Sequence, residues 1–146
     1  MITRALAAIA VALPLAAGAT EDADAVREAA FREALRAVKD ERPLAPLRCL
    51  AVENGLDPPR RMLDRLAKEF GLVLHPYSVC ARDGLLPAQV GSLDGPKDLI
   101  AVESVKWRSK VRADVNLRLL GGTGIVAVRK ERIGWKGACC LGGIIG

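Results

Sequence analysis

Aromatic residues are nearly missing from this chain: two Trp, two Phe and one Tyr in 146 residues. Binding single-stranded nucleic acid by stacking bases on rings needs more platforms than that, so base stacking is not indicated and nucleic acid is an unfavoured partner. Histidine occurs once, at His75. Any Ser-His-Asp or Cys-His assembly would rest wholly on this imidazole, which precedes Pro76 in an apolar stretch that suits a structural histidine. There is no C-x-x-C pair, and Cys49, His75, Cys80 and one of Cys139 or Cys140 lack the ligand spacing of a zinc site. No metal and no cofactor is expected. Nor do paired carboxylates suggest a general acid and base. Asp22/Asp24 and Asp40/Glu41 fall at the ends of an expected helix, where capping and dipole effects account for them. No catalytic residue is assigned.

Long apolar runs are also lacking. The most apolar stretch, Ala5 to Ala17, is too short for a comfortable membrane span. Arg4 precedes it, Ala17-Gly18-Ala19 follows it with small side chains, and acidic residues come next. That order is that of an export signal over residues 1–19. The remainder, 20–146, is read as one α+β domain, secreted or periplasmic, with no transmembrane segment. No cysteine stands near the expected cleavage point to accept a lipid.

What the chain does have is an uneven charge. Without the signal it carries 21 Lys and Arg against 17 Asp and Glu, a net of +4. From Glu21 to Asp57 nine acids face six bases, whereas from Lys106 to Lys136 nine bases face only Asp114 and Glu131. The C-terminal third is therefore suited to anions if its cations share a face.

Periodicity predicts the elements. Val26, Ala30, Phe31, Ala34, Leu35 and Val38 recur at helical spacing, with Glu21, Asp22 and Asp24 in the expected first turn and Pro43 after the end. "LRCLAVENG" reads as a buried strand. A second helix follows, with Asp57 as its cap, Pro58 at its first position, Met62, Leu63, Leu66, Ala67 and Phe70 as its stripe, and Gly71 as its stop. "LVLHPYSVC" reads as extended, and residues 81–96 as an irregular loop rich in Gly and Pro. Four strands close the chain. In "VRADVNLRLL" apolar and polar residues alternate strictly, as on a sheet wet on one face. "GGTG" at 121–124 lacks the lysine and hydroxyl of a phosphate loop and reads as a hairpin turn. The fold class is α+β, with N-terminal helices packed on an antiparallel sheet that ends in a four-stranded meander.

Four cysteines in an exported chain imply bridges, in any of three pairings. Adjacent strand residues point to opposite faces, so Cys139 and Cys140 are expected to serve separately, in a second bridge or as buried thiols. Cys49 and Cys80 meet if their extended segments run antiparallel and part if they run parallel. A bridge from Cys80 to the last strand is the rival.

Lys106, Arg108, Lys110 and Arg112 alternate with Trp107, Ser109 and Val111, and Arg118 follows. On an unbroken strand the first four cations would line one face; a turn near Ser109 would split them. Such a face would attract an anionic envelope component (anionic lipid or polyanionic glycan), an acidic protein or nucleic acid, of which export makes nucleic acid the weakest. The plain alternative is a solvated sheet face.

"ADVNLRLLGGTGIVAVRKERIGWKG" resembles the last hairpin of nuclear-transport-factor-two-like domains, and the helix carrying Phe31 and Leu35 is similar to their opening helix. "CLAVENGLDPPRRMLDRL", "SVC" and the tryptophan-bearing meander also resemble small exported bacterial proteins of unknown function. The first resemblance implies a conical pocket, which that superfamily uses for isomerisation, dehydration or plain binding. The strand–helix–strand of residues 47–80 departs from the simplest form of that fold, and no catalytic residue carries over. The leading expectation is a non-enzymatic binding or structural domain of the cell envelope. The alternative is a pocket-bearing enzyme or small-ligand binder, with His75 and Tyr77 as polar contacts. A filled core with a cationic outer face would favour the first.

Overall fold

The computed structural model describes residues 12–41, 47–53, 55–82, 97–119 and 122–138. Three helices and six strands follow in the order α1 (Ala12–Glu41), β1 (Leu47–Val52), α2 (Arg60–Phe70), β2 (Leu74–Pro76), α3 (Tyr77–Arg82), β3 (Lys97–Ser109), β4 (Arg112–Leu119), β5 (Gly122–Glu131) and β6 (Gly134–Ala138). All six strands form one sheet in the order β2-β1-β3-β4-β5-β6.

The α+β class and the meander are present: β3 to β6 pair antiparallel in succession. The sheet as a whole is mixed, which corrects the expectation of an antiparallel one. β1 runs parallel to β2 on one side and to β3 on the other. The reason lies in the connection. A helix, α2, separates β1 from β2, and a helical crossover returns the chain to the same end of the sheet.

α1 carries the largest share of the core. Val26, Ala29, Ala30, Phe31, Ala34 and Leu35 are buried along one stripe. They pack with Met62, Leu63 and Leu66 of α2 and with Leu50, Ile100, Val115, Leu117 and Val126 of the sheet. The sheet curls around α1, which touches β3, β4, β5 and β6. Gly137 of β6 is buried against it. A Cβ there would meet the Glu33 side chain and lie 3.3 Å from the Ala29 carbonyl oxygen, so only glycine permits this approach. Ion pairs tie the two large helices together on the outside. Arg65 Nε donates to Glu28 at 3.1 Å and Arg32 Nε to Glu69 at 2.9 Å. The bond to Glu28 raises the Arg65 pKa, with the charge of the carboxylate acting in the same direction.

Three local expectations need correction. α1 begins at Ala12, because the apolar segment before Glu21 continues the same helix, so Asp22 and Asp24 lie well inside it. α2 starts after Pro59 without a side-chain cap. Asp57 instead accepts from the backbone N–H of Ser78 at 2.8 Å and from its hydroxyl at 2.7 Å, at the start of α3. "LVLHPYSVC" is extended only as far as Pro76. Beyond it, the Asp57 contacts and the absent proline N–H turn the chain into a helix. Gly71 does end α2, at φ 64°, with Leu72 N donating to the Ala67 carbonyl at 3.0 Å. Of the expected "GGTG" turn, Gly122, Thr123 and Gly124 lie on β5, paired with Leu119, Arg118 and Leu117, and Gly121 lies outside the described residues.

Cys49 and Cys80 are bridged, with Cα atoms 6.5 Å apart. The pairing holds although β1 and β2 do not run antiparallel, the arrangement on which it was expected to depend. β1 and β2 are parallel, but Cys80 is not on β2. It sits on α3, which folds back over β1 and brings the sulfur above Cys49. Cys139 and Cys140, and most of the loop expected at 81–96, lie outside the described residues.

Candidate anion-binding face

The site is built by the alternation of β4. Ala113, Val115, Leu117 and Leu119 are buried towards α1, which sends Arg112, Asp114, Asn116 and Arg118 to the opposite, open face. Register extends this division across the meander. On β5 Val126 and Val128 face the core beside Val115 and Ala113, while Ile125, Ala127 and Arg129 face out beside Asn116, Asp114 and Arg112. On β6 Lys136 stands opposite Arg129.

β3 has two register shifts, at Val102/Ser104 and Trp107/Ser109. Each adds one residue to the open face, as a bulge does. Glu103 thereby reaches Arg118 Nε at 2.6 Å, and Arg108 Nε reaches Asp114 at 2.7 Å. Asn116 donates to the Ser104 hydroxyl at 2.7 Å between them.

The turn at Lys110–Val111 does split the basic run, as one of the two expectations had it. The hairpin then reunites most of it. Lys106, Arg108 and Arg112 gather at the turn end of the open face, with Lys110 exposed in the turn itself. Arg118 is on the same face but six residues away along β4, roughly 20 Å, and is engaged by Glu103. Two cations that sequence reading omitted complete the cluster: Arg129 and Lys136. The signal for Arg129 was present in the alternation of "VAVRKE", but placing it beside Arg112 requires the hairpin register.

Arg112, Arg129 and Lys136 form a row of directly opposed positions across β4, β5 and β6. Like charges directly opposite on neighbouring strands are destabilising, so folding alone does not favour this row. Beside it is a hollow of about 360 Å³, with Arg108, Arg112 and Arg129 around it and Asp114 and Ala127 in its lining. Ala113 and Val128 complete its lining. Three guanidiniums against one carboxylate leave an excess of positive charge, and their planar donor forks match carboxylate, phosphate or sulfate oxygens. Among the described residues, Arg129 also makes a longer contact to Glu131, at 3.6 Å.

His75 and Tyr77 are elsewhere. His75 is half-buried on β2, opposite Cys49 in the β1 register. Tyr77 packs against a second apolar cluster of Cys49, Ala51, Cys80 and Leu99, and its ring covers Gly55, whose φ is 76°. The polar partners near it, Asp57 and Ser78, are bonded to each other. No helix of the described residues is long and apolar enough to cross a membrane. Set against known protein families, curated proteins and solved structures, the chain matches none of them.

Proposed function

We propose that this protein is an exported, non-enzymatic binding domain that takes an anionic component of the cell envelope on the open face of its meander. The observation that carries this reading is the opposed row Arg112, Arg129 and Lys136 beside an arginine-ringed hollow. Three cations in register cost stability, and an anion between them would turn repulsion into charge-assisted hydrogen bonds. The Cys49–Cys80 bridge supports export, since bridges persist in oxidising compartments. A core occupied on the helix side of the sheet, with the cations outside it, favours a surface binder over a pocket.

Retention of the exported protein on immobilised heparin, measured against salt, tests this. Arg112→Ser with Arg129→Ser should elute at clearly lower salt than Arg60→Ser with Arg61→Ser, which removes the same charge from exposed positions on α2. Equal shifts for the two pairs would reduce the effect to net charge and end the proposal.

A further inference from the structure

The turn end of the meander carries more than charge. The β3–β4 turn, Lys110–Val111, and the β5–β6 turn, Arg132–Ile133, lie at the same end of the sheet, because β4 and β5 are antiparallel. Lys130 N donates to the Val111 carbonyl at 2.8 Å and so links the two. Lys130 is paired with Trp135, over whose ring its ammonium lies at 5.8 Å. Trp107 stands edge-on to Trp135, centroids 5.6 Å apart.

Apolar side chains protrude here among the cations. Ile133 is 97 % exposed, Val111 47 % and Trp107 43 %. Nothing in the stability of two hairpin turns requires an isoleucine almost wholly in water. Both tryptophans of the chain are at this one end. The acids nearby, Asp114 and Glu131, are each in contact with an arginine.

We infer that this end docks onto the surface of an anionic lipid bilayer. Ile133 and Val111 enter the headgroup layer, the Trp107 edge lies at its boundary, and the cations of both turns meet lipid phosphates. The inference rests on the anion-binding reading of the adjoining open face, whose Arg112, Arg129 and Lys136 reach this same end while Trp107 and Trp135 lie on the α1 side of it, and names the partner. Two features select a lipid surface over an acidic protein. The apolar groups sit on two separate turn tips, Val111 and Ile133, which a fluid surface accommodates without a shaped partner. Tryptophan, a protruding aliphatic residue and surrounding Lys/Arg is also the combination that favours the membrane interface, apolar contact and charge acting together.

Co-sedimentation of the exported protein with phosphatidylglycerol-containing vesicles, compared with phosphatidylcholine alone, tests the inference. Binding should require phosphatidylglycerol and shift the tryptophan emission to the blue. Ile133→Ser with Val111→Ser should weaken vesicle binding by about tenfold or more while leaving heparin elution unchanged. Leu56→Ser, at an exposed apolar residue far from the turns, should change neither. Each cation removed from the turn end should weaken vesicle binding about fivefold. Retention on heparin without vesicle binding would overturn the lipid inference and leave the anion-binding face standing. Failure on both supports would remove both readings. Vesicle binding that survives the Ile133/Val111 pair, or falls equally with Leu56→Ser, would overturn the assignment to this end.

Discussion

The two ends of the sheet are built on different rules. At the β1–β2 end both faces are covered. Leu50 and Val52 face α1 and α2, while Cys49 and Ala51 face a second cluster closed by Cys80 of α3, Leu99 and Tyr77. That is the usual state of parallel strands, and "LRCLAV" is correspondingly apolar on both sides except at Arg48. At the β4–β6 end, among the described residues, the α1 face is covered and the side chains of Arg112, Arg118, Ile125 and Arg129 on the other are exposed. One end therefore adds to the shared core a bridge, a capped short helix and a second apolar cluster. The other keeps a repulsive row that cohesion does not explain. The difference separates an end packed on both faces from one that shares the main core on its α1 side and leaves its cations exposed on the other.

The largest expected effect tests what the ends share. Phe31→Ala empties a fully buried site in the helix around which the sheet curls, and should cost about 3–5 kcal/mol in urea unfolding. A single cooperative transition, lowered as a whole, is expected. Two separated transitions would mean that the ends fold independently. Next comes the bridge, whose cysteines are 31 residues apart. Cys49→Ala with Cys80→Ala should cost about 2–4 kcal/mol, and hydrogen exchange should lose more protection in β1 and β2 than in β4 and β5. Equal losses throughout would blur the distinction. Asp57→Ala removes the two bonds to Ser78 and should cost about 1 kcal/mol, by analogy with other capping carboxylates. The same change would leave α2 intact, because that helix takes no side-chain cap.

The smallest effect has the opposite sign. Arg112→Ser with Arg129→Ser should stabilise the protein by up to about 1 kcal/mol at low salt, with the gain fading as salt screens the wild-type repulsion. Thermal unfolding across a salt series would show it. A loss of stability at low salt would mean that the row is not a source of strain on the fold, and would weaken the contrast between the two ends.

Much of this was legible along the chain because it depends on local period. The stripe from Val26 to Leu35, the Met62–Leu63–Leu66 face, the Gly71 stop and the alternation of β4 all follow from which side of an element each residue must occupy. The candidate face was half legible. Lys106, Arg108 and Arg112 were visible as a run, but Arg118 was grouped with cations it does not adjoin, and Arg129 and Lys136 were missed. Proximity across strands is a matter of register, and the two β3 bulges shift that register in a way that no alternation pattern announces. Asp57 was misassigned for a related reason. Its neighbours in sequence made it a cap for α2, whereas its neighbours in space include Ser78, 21 residues on.

By itself the sequence determined the α+β class, the core stripes, the one-sided wetness of the meander and the concentration of cations in its last third, because each is a property of composition or of a short repeat. The tertiary structure alone decided that β1 lies between two parallel neighbours, that a helical turn rather than a strand delivers Cys80 to Cys49, and that Arg112, Arg129 and Lys136 stand in one row. Those outcomes depend on how distant segments close on one another around α1, where packing and hydrogen-bond register, rather than local preference, choose among arrangements that the same local pattern permits.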